Sequence, residues 1–172
     1  IHATMPINFS TNTTKSIDSL YEALFVQSNK IICDTHELNV TGKTQAEIIG
    51  GNLSILCSLL CSSSDIKTKD KILFIEDLDE YLYHIDRMII SLKRAEKLSR
   101  LKALIVGSMH DMNDNKIPFG RTAYQIISNY TKEYNYPKCF DFPSGHLNDN
   151  RSIIFGKESK LEIGIKSVIL QQ

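Results

Sequence analysis

The sequence lacks tryptophan, has only four cysteines, four prolines and eight glycines in 172 residues, and carries no surplus of charge. Its 20 Lys and Arg residues balance its 20 Asp and Glu residues, so the formal net charge is zero. Binding to nucleic acid through phosphate contacts needs an excess of basic residues, and attraction to anionic membranes needs one as well. The composition therefore predicts neither a nucleic-acid partner nor a membrane partner.

Long hydrophobic runs are also missing. No apolar run approaches the roughly 20 residues of a membrane-spanning helix. The first ten residues lack the basic region and the apolar core of a signal peptide. The chain begins with Ile rather than Met, which favours a fragment or a processed piece of a longer protein.

The four cysteines, Cys33, Cys57, Cys61 and Cys139, show no spacing that is typical of a disulfide framework. Cys57 and Cys61 lie four residues apart in an apolar stretch with helical spacing, which favours buried free thiols over a metal or redox site. Free thiols indicate a reducing compartment, so we expect a cytoplasmic protein.

What the sequence does contain is an ordinary globular composition, with 42% apolar and 23% charged residues. Its length fits one domain, and strand patterns that alternate with helical ones predict the α/β class. The predicted helices are residues 14–27, a segment through Leu53 and Leu60, a segment through Leu82 and Leu92, and residues 120–134. The predicted strands are residues 30–33, 71–75, 101–106 and 139–142, followed by an antiparallel hairpin from residues 153–155 and 161–170. Polar residues 34–47 separate the first strand from the second helix, and residues 61–70 and 107–119 are predicted loops.

Glu76 directly follows a buried apolar strand. The carboxyl ends of strands are where α/β proteins place their functional groups, so Glu76 is a candidate catalytic residue. The alternative is an acidic cluster with Asp77, Asp79 and Glu80 that complements the dipole of the next helix.

His146 lies in a loop, Pro143-Ser-Gly-His146, that follows the last short strand. Pro143 restricts one backbone torsion and Gly145 permits an unusual one, which predicts a defined loop geometry. A histidine held there can act as a general base. Ser144 is a weak nucleophile candidate, because the segment lacks the Gly-x-Ser-x-Gly pattern of a nucleophile elbow.

Gly50, Gly51 and Asn52 precede the second helix. We expect either a tight turn with Asn52 as the helix N-cap, or a backbone that approaches a substrate closely. Two further segments match ligand motifs incompletely. Gly42-Lys43-Thr44 lacks the first glycine of a phosphate loop, and the segment from Asp111 lacks the glycine and the glutamate of a calcium loop. The residues by themselves predict an α/β domain with a glutamate at a strand end and a loop histidine, without a nucleophile or a metal set.

Seven segments, which occur in order over nearly the whole chain, carry a resemblance to a known family. They are His2-Ala-Thr-Met-Pro6, Leu38-Asn-Val-Thr-Gly-Lys43, Ile49-Gly-Gly-Asn-Leu53, Ile72-Leu-Phe-Ile-Glu-Asp77, Tyr83-His-Ile-Asp-Arg-Met88, Ile105-Val-Gly107 and Phe142-Pro-Ser-Gly-His146. Together they resemble the LD-carboxypeptidases, the serine peptidases that trim murein tetrapeptides and that include the microcin-immunity peptidases. The specific part is the series Gly-Gly-Asn-Leu, Glu-Asp with Tyr-x-Ile-Asp-Arg, and Gly-His.

The resemblance implies the C-terminal domain of that family, a layered β/β/α swivelling domain with a mixed sheet, over residues 13–172. Residues 1–12 would be an interdomain segment. The family's serine nucleophile lies in a Gly-x-Ser-Asp context in an N-terminal domain, and the chain contains no such motif; Ser62-Ser-Ser-Asp65 lacks the glycine. We therefore expect that the nucleophile domain is absent from this chain.

The resemblance also implies a role for each candidate residue. Glu76 and His146 would complete a Ser-Glu-His triad, and Gly50, Gly51 and Asn52 would border the substrate. The intact enzyme would remove the terminal D-alanine from murein tetrapeptides in peptidoglycan recycling, without a metal or cofactor and as a homodimer. Its domain partner would be the N-terminal domain of the full-length protein, and the 172 residues alone would be inactive.

Two other functions stay open. A microcin-immunity peptidase would use the same triad to cleave an aminoacyl-nucleotide conjugate. A binding module would keep the fold as a peptide receptor without catalysis, although a retired site has no chemical reason to keep both Glu76 and His146. The segment that begins His2-Ala3-Thr4 departs from the His-Gly-Pro pattern that the family usually shows, which leaves the substrate specificity less defined than the chemistry.

Overall fold

The computed structural model describes residues 1–172 and has an α/β architecture built on one seven-stranded mixed sheet. The strands are β1 (Lys30–Cys33), β2 (Gly42–Asn52), β3 (Ile72–Leu78), β4 (Ala103–His110), β5 (Lys138–Cys139), β6 (Glu158–Ile163) and β7 (Val168–Gln171). The helices are α1 (Thr14–Tyr21), α2 (Leu53–Ser58), α3 (Leu82–Arg94) and α4 (Ala123–Thr131), with a 3₁₀ turn at Pro6–Asn8 and a π-helical turn at Glu22–Val26. The α/β class and the mixed sheet that were expected from the sequence are confirmed.

The sheet has a parallel half and an antiparallel half that share β2. The strand order is β1-β7-β6-β2-β3-β4-β5. The first part of β2 pairs antiparallel with β6, and its last five residues pair parallel with β3. β3, β4 and β5 continue the parallel half, and β1 and β7 complete the antiparallel half.

Alternate residues of β3 enter two different cores, because successive side chains of a strand point to opposite faces. Leu73 and Ile75 pack against the helices α2, α3 and α4. Ile72 and Phe74 pack against side chains of the antiparallel strands. The buried face of α3 repeats at helical spacing through Leu82, Ile85, Ile89 and Leu92. The layers are therefore helices, parallel strands and antiparallel strands.

The helices follow the predicted apolar pattern, and three of them begin at a side-chain cap. Thr13 caps α1, Asn52 caps α2 and Thr122 forms a capping box with Gln125 in α4. Each cap side chain accepts a hydrogen bond from a backbone N–H of the first helical turn, which would otherwise have no partner. The expected role of Asn52 as an N-cap is confirmed.

The strands differ from the predictions in several places. β2 was not predicted, because its first half is polar and alternately exposed. β3 runs through Glu76 to Leu78 rather than ending at Ile75, and β4 runs to His110, so the predicted loop at residues 107–119 begins too early. β5 has only two residues. In β2, β3 and β4 the backbone pairing with a neighbouring strand continues beyond the apolar run. β5 pairs with β4 at only two residues, so it is shorter than the predicted strand.

The predictions for the C-terminal hairpin and for the cysteines also need correction. The antiparallel hairpin consists of β6 and β7, whereas Ile153 makes only an isolated bridge to His2.

All four cysteines are free. Cys61 lies beyond the end of α2 with a positive φ of 63° and is exposed, and Cys57 in α2 is half-buried, so the prediction of two buried thiols on one helix is wrong.

Candidate active site

Glu76 lies near the end of β3, where the pairing with β4 is interrupted by a bulge. Ile75 pairs with Val106 but Asp77 pairs with Met109, so β4 has one extra residue at this point. Bulges of this kind redirect side chains and are frequent beside functional sites. Glu76 has the same parity along the strand as Phe74, which predicts that its side chain leaves the face opposite the helices.

His146 is the partner of Glu76, although 70 residues separate them. Nδ1 of His146 lies 2.8 Å from Oε2 of Glu76. An ionised carboxylate can only accept hydrogen bonds, so Nδ1 carries the proton and Nε2 is the free basic nitrogen. The Glu76 side chain is 2% exposed and that of His146 is 47% exposed. The pair therefore joins a buried acceptor to an imidazole with solvent access.

The loop that carries His146 depends on Gly145. Gly145 has φ +127°, and a Cβ at this position would lie 2.3 Å from Oγ of Ser108 and 3.1 Å from Oε2 of Glu76. The backbone N–H of Gly145 donates to Asn150 Oδ1 at 3.0 Å, and the Ser108 N–H donates to the Ser144 carbonyl at 2.9 Å. Only glycine fits this close approach of the loop to the end of β4, as the sequence predicted for its unusual torsion.

The ionisation of Glu76 reflects two opposing influences. Burial would raise the pKa of the Glu76 carboxyl, but the contacts with His2 and His146 outweigh burial and hold this pKa below its ordinary value of 4.5. Glu76 is therefore an anion at neutral pH. A buried anion beside Nδ1 of His146 stabilises the imidazolium that forms when Nε2 takes a proton.

His2 is a functional candidate that the sequence reasoning did not select. Its Nε2 lies 3.6 Å from Oε1 of Glu76, which is longer than a hydrogen bond but within reach of an electrostatic contact. Its Nδ1 lies 3.2 Å from Oγ of Ser144. The only sequence signal was its place in the first of the seven family-like segments. No local pattern relates a residue at position 2 to a strand that begins 70 residues later.

Ser144 does not have the surroundings of a nucleophile. The residue is fully buried, and its hydroxyl faces His2 rather than His146. A serine that acts as a nucleophile gives its proton to a base and must be open to the substrate carbonyl that it attacks. Ser144 is better described as a hydrogen-bond partner of His2.

The acidic residues that follow Glu76 do not form a cluster at the start of α3. The Asp77 side chain points to the helix face, where Oδ2 accepts the Ser54 N–H at 3.0 Å and Oδ1 accepts Nδ2 of Asn52 at 2.8 Å. Burial raises the pKa of Asp77 above its ordinary value of 3.8, although these hydrogen bonds partly oppose the shift. Glu80 contacts His84, and Asp79 accepts a hydrogen bond from Asn113. The alternative explanation, a cluster that complements the α3 dipole, is therefore wrong for Asp77, which holds the start of α2.

Gly50, Gly51 and Asn52 form the end of β2 rather than a tight turn. They pair in parallel with Phe74, Ile75 and Glu76. A Cβ at Gly50 would lie 1.8 Å from the Phe74 carbonyl oxygen, whereas a Cβ at Gly51 would meet nothing within 4 Å. The Asn52 amide is occupied by Ile55, Ser54 and Asp77. Of the three, only Gly51 borders open space.

A cavity of about 370 Å³ opens beside His146. Its wall contains polar and neutral side chains from the first twelve residues and from the loop after His146. The lining residues are His2, Ala3, Met5, Asn8, Thr11, Asn12, His110, Gly145, His146, Leu147, Asn148 and Asn150. No carboxylate or basic side chain other than histidine lines it, so the cavity suits a neutral polar group such as a peptide amide.

The two segments that match a phosphate loop and a calcium loop incompletely do not form ligand sites in the structure. Gly42, Lys43 and Thr44 lie in β2 and pair with β6, and Lys43 contacts Glu162. Asp114 accepts hydrogen bonds from nearby backbone N–H groups, as expected for a turn. No group of three or more His, Cys, Asp or Glu side chains is arranged to hold a metal ion. Among the helices, none combines the length and the apolar character that crossing a bilayer requires.

Comparison with known proteins gives a consistent picture. A family model described as the LD-carboxypeptidase C-terminal domain matches residues 45–161. A probable murein peptide carboxypeptidase of Bacillus subtilis is 32% identical over 132 residues, which cover 77% of this chain and 41% of that protein. The murein tetrapeptide carboxypeptidase of Pseudomonas aeruginosa is 26% identical over 121 residues, which cover 70% of this chain and 39% of that protein. The chain thus spans about two fifths of the length of these curated relatives.

Solved structures share the fold. A muramoyltetrapeptide carboxypeptidase from Oxalobacter formigenes superposes with a TM-score of 0.84 at 20% identity, over 92% of this chain and 54% of that one. The microcin C7 self-immunity protein MccF, in a complex with aspartyl sulfamoyl adenosine, superposes with a TM-score of 0.69 at 20% identity, over 84% of this chain and 41% of that one. At these identities the likeness concerns the fold alone, and it agrees with the expected layered architecture.

Proposed function

Because this chain belongs to the LD-carboxypeptidase family through its C-terminal domain, we propose that it supplies the glutamate and the histidine of a Ser-Glu-His triad. The substrate is a murein tetrapeptide, from which the intact enzyme removes the terminal D-alanine during peptidoglycan recycling. The observation that carries the proposal is the 2.8 Å contact between Nδ1 of His146 and Oε2 of the buried Glu76. The names of the curated relatives support the substrate class.

In this mechanism His146 is the general base. Its Nε2 removes the proton from the serine hydroxyl as the serine attacks the L,D-peptide carbonyl, and the same proton then passes to the leaving D-alanine nitrogen. Glu76 holds the imidazole in the tautomer with Nδ1 protonated and stabilises the imidazolium. Water then releases the acyl-enzyme by the same route.

The serine and the oxyanion donors come from an N-terminal domain, outside the 172 residues described. No Gly-x-Ser-Asp sequence occurs in the chain, and the curated relatives are more than twice as long as the segments that match. Residues 1–12 form the interdomain segment and residues 13–172 the C-terminal domain. Because the nucleophile and the oxyanion donors contribute a large part of the rate, residues 1–172 alone are inactive.

Gly51 is the position at the end of β2 that contacts the substrate. It borders open space beside the register partner of Glu76, whereas Gly50 and Asn52 are occupied by contacts within the fold. A side chain at Gly51 would fill part of this space, and at the φ of +150° it would also strain the backbone. Gly51→Ala therefore raises KM for the tetrapeptide more than it lowers kcat.

The test uses the full-length protein and the free tetrapeptide L-Ala-D-Glu-diaminopimelate-D-Ala. The expected result is a mass loss of one alanine with the wild type, and no detectable loss with His146→Ala or Glu76→Ala. His84→Ala is the matched control, because His84 also contacts a glutamate but lies on α3 outside the cavity. D-alanine release by residues 1–172 alone would contradict the assignment of the nucleophile to another domain.

Two results would redirect the proposal. Cleavage of an aminoacyl-adenylate analogue, without alanine release from the tetrapeptide, would identify an immunity-type peptidase. Binding of the tetrapeptide without turnover of either substrate would identify a binding module. The same preparation tests the remaining expectations, a homodimer by sedimentation and a cytoplasmic location by cell fractionation.

A further inference from the structure

His2 is held in place beside Glu76 by its backbone and by its ring. Its N–H donates to the Ile153 carbonyl at 2.8 Å, and the Ile153 N–H donates back at 2.8 Å. The imidazole packs edge-on against Phe74, with ring centroids 5.0 Å apart, and also contacts Phe155. The side chain is only 18% exposed. This residue near the chain start is therefore part of the packed structure around the site.

The two nitrogens of His2 face different partners. Nδ1 lies 3.2 Å from Oγ of Ser144 and Nε2 lies 3.6 Å from Oε1 of Glu76. A neutral imidazole has one donor nitrogen and one acceptor nitrogen. The Ser144 hydroxyl can donate to Nδ1, which leaves the proton on Nε2, directed at Oε1. A chain of contacts then runs from Ser144 through His2 and Glu76 to His146, in which the step from His2 to Glu76 is an electrostatic contact at 3.6 Å and the other two are hydrogen bonds.

Each carboxylate oxygen of Glu76 thus faces one histidine. Oε2 accepts from His146, and Oε1 faces His2. A carboxylate that is 2% exposed obtains little help from water, and an unpaired buried oxygen is costly. On β2, Asn52 is not a partner for Oε1 because it binds Asp77, whose side chain points to the opposite face.

We propose that His2 is a positioning residue, which acts on the reaction through Glu76 rather than by touching the reacting atoms. It orients the carboxylate so that Oε2 faces His146, and it keeps Glu76 in the charged form. This role rests on the triad proposed above. It also explains why the hydroxyl of Ser144 is buried against a histidine instead of serving as a nucleophile.

The ionisation of Glu76 gives the role a measurable consequence. The groups that face this carboxylate are His2 from the N-terminal segment and His146 from the loop after β5, and both lower its pKa. Removal of His2 leaves burial opposed by His146 alone, so the pKa of Glu76 rises. Glu76 then gains a proton at a higher pH and no longer accepts from Nδ1 of His146.

The experiment compares three variants of the full-length protein. His2→Phe keeps the ring packing and removes both nitrogens. His2→Gln places an amide donor near the position of Nε2, and His2→Asn places its amide near Nδ1, where it reaches Ser144 but not Glu76. His84→Phe on α3 is the matched control. The kinetic readout is kcat and KM for the tetrapeptide as a function of pH.

His2→Phe and His2→Asn should lower kcat roughly tenfold to hundredfold, as is typical when a partner that orients a functional ligand is lost. The loss of kcat relative to the wild type should grow as the pH falls, because Glu76 gains its proton at a higher pH in these variants, while KM stays nearly constant. His2→Gln should restore most of kcat, and His84→Phe should match the wild type. A loss confined to KM, or a His2→Gln variant as impaired as His2→Asn, would overturn the positioning role.

A spectroscopic readout separates this inference from the proposed substrate. The Nδ1–H proton of His146, which gives a downfield NMR signal when it bonds a carboxylate, needs no turnover. The signal should disappear at a higher pH in His2→Asn than in the wild type. An unshifted signal in a protein that releases D-alanine would overturn the positioning role alone. A shifted signal without alanine release would uphold the role and contradict the substrate. If His2→Phe does not fold, the pair His2→Gln and His2→Asn carries the same test.

Discussion

Two glutamate–histidine pairs lie near the end of β3, and their comparison shows what makes one of them a functional candidate. In Glu76–His146 the closest atoms are 2.8 Å apart, and in Glu80–His84 they are 2.9 Å apart. The two histidines are about equally exposed, at 47% and 43%. The glutamates differ, because Glu76 is 2% exposed and Glu80 is 24% exposed.

The second difference is topological. Glu80 and His84 are four residues apart, so the local chain and the first turn of α3 bring them together. Glu76 and His146 are brought together by a strand, a bulge and a glycine-dependent loop that are distant in sequence. Only the arrangement of Glu76 and His146 buries the carboxylate and leaves the imidazole beside a cavity. Geometry at the contact therefore says little about function until burial and surroundings are considered.

The strongest test of the comparison removes the charge of each glutamate in turn. In the full-length protein, Glu76→Gln should lower kcat for alanine release by about 10⁴-fold, because the wrong imidazole tautomer is then favoured. Glu80→Gln should leave kcat unchanged and cost at most about 0.5 kcal/mol of stability, as for an exposed pair within one turn. Equal losses of kcat in the two variants would show that burial does not distinguish the pairs.

A second test moves His146 without altering either member of the pair. Gly145→Ala forces a Cβ towards Ser108 and Glu76 at a positive φ, and we expect it to lower the free energy of unfolding by about 3 kcal/mol. Displacement of the imidazole by about 1 Å should lower kcat roughly hundredfold. Denaturant unfolding and alanine release measure the two effects.

Gly156→Ala is the control for that variant. Gly156 also has a positive φ, of 78°, but a Cβ there would meet nothing within 4 Å. Its cost should be limited to backbone strain of about 1 kcal/mol, with kcat unchanged. Equal losses of unfolding free energy and of kcat in the two alanine variants would show that the close approach of the loop to Glu76 contributes to neither.

The smallest expected effect concerns pH. The folded-state pKa of Glu76 lies below its ordinary value of 4.5, so the ionised form contributes stability above that value. This contribution is lost as the pH falls from 4.5 through the lower folded-state pKa. The difference in unfolding free energy between the wild type and Glu76→Gln should therefore shrink below pH 4.5. A difference that stays constant from pH 7 to pH 3 would rule out the lowered pKa.

The sequence predicted the elements that have their own periodicity. α3 was recognised because its apolar residues recur at helical spacing, and Asn52 was recognised as a cap because a polar side chain precedes the helix. β2 was missed because its polar half obtains its order from backbone pairing with β6 rather than from burial of its side chains. The extension of β3 through Glu76 was missed for the same reason, since pairing with β4 continues after the apolar run ends.

For the site, the sequence determined the residue types and their neighbourhoods: a carboxylate at the end of an apolar strand, and a histidine after a glycine that relaxes the backbone. Only the tertiary structure decided which partner each one has. The bulge, the approach of Gly145 to β4 and the seating of His2 on Phe74 all depend on contacts between segments far apart along the chain. Such contacts form only when the layers pack, because local periodicity carries no information about which distant segment will fill a given space.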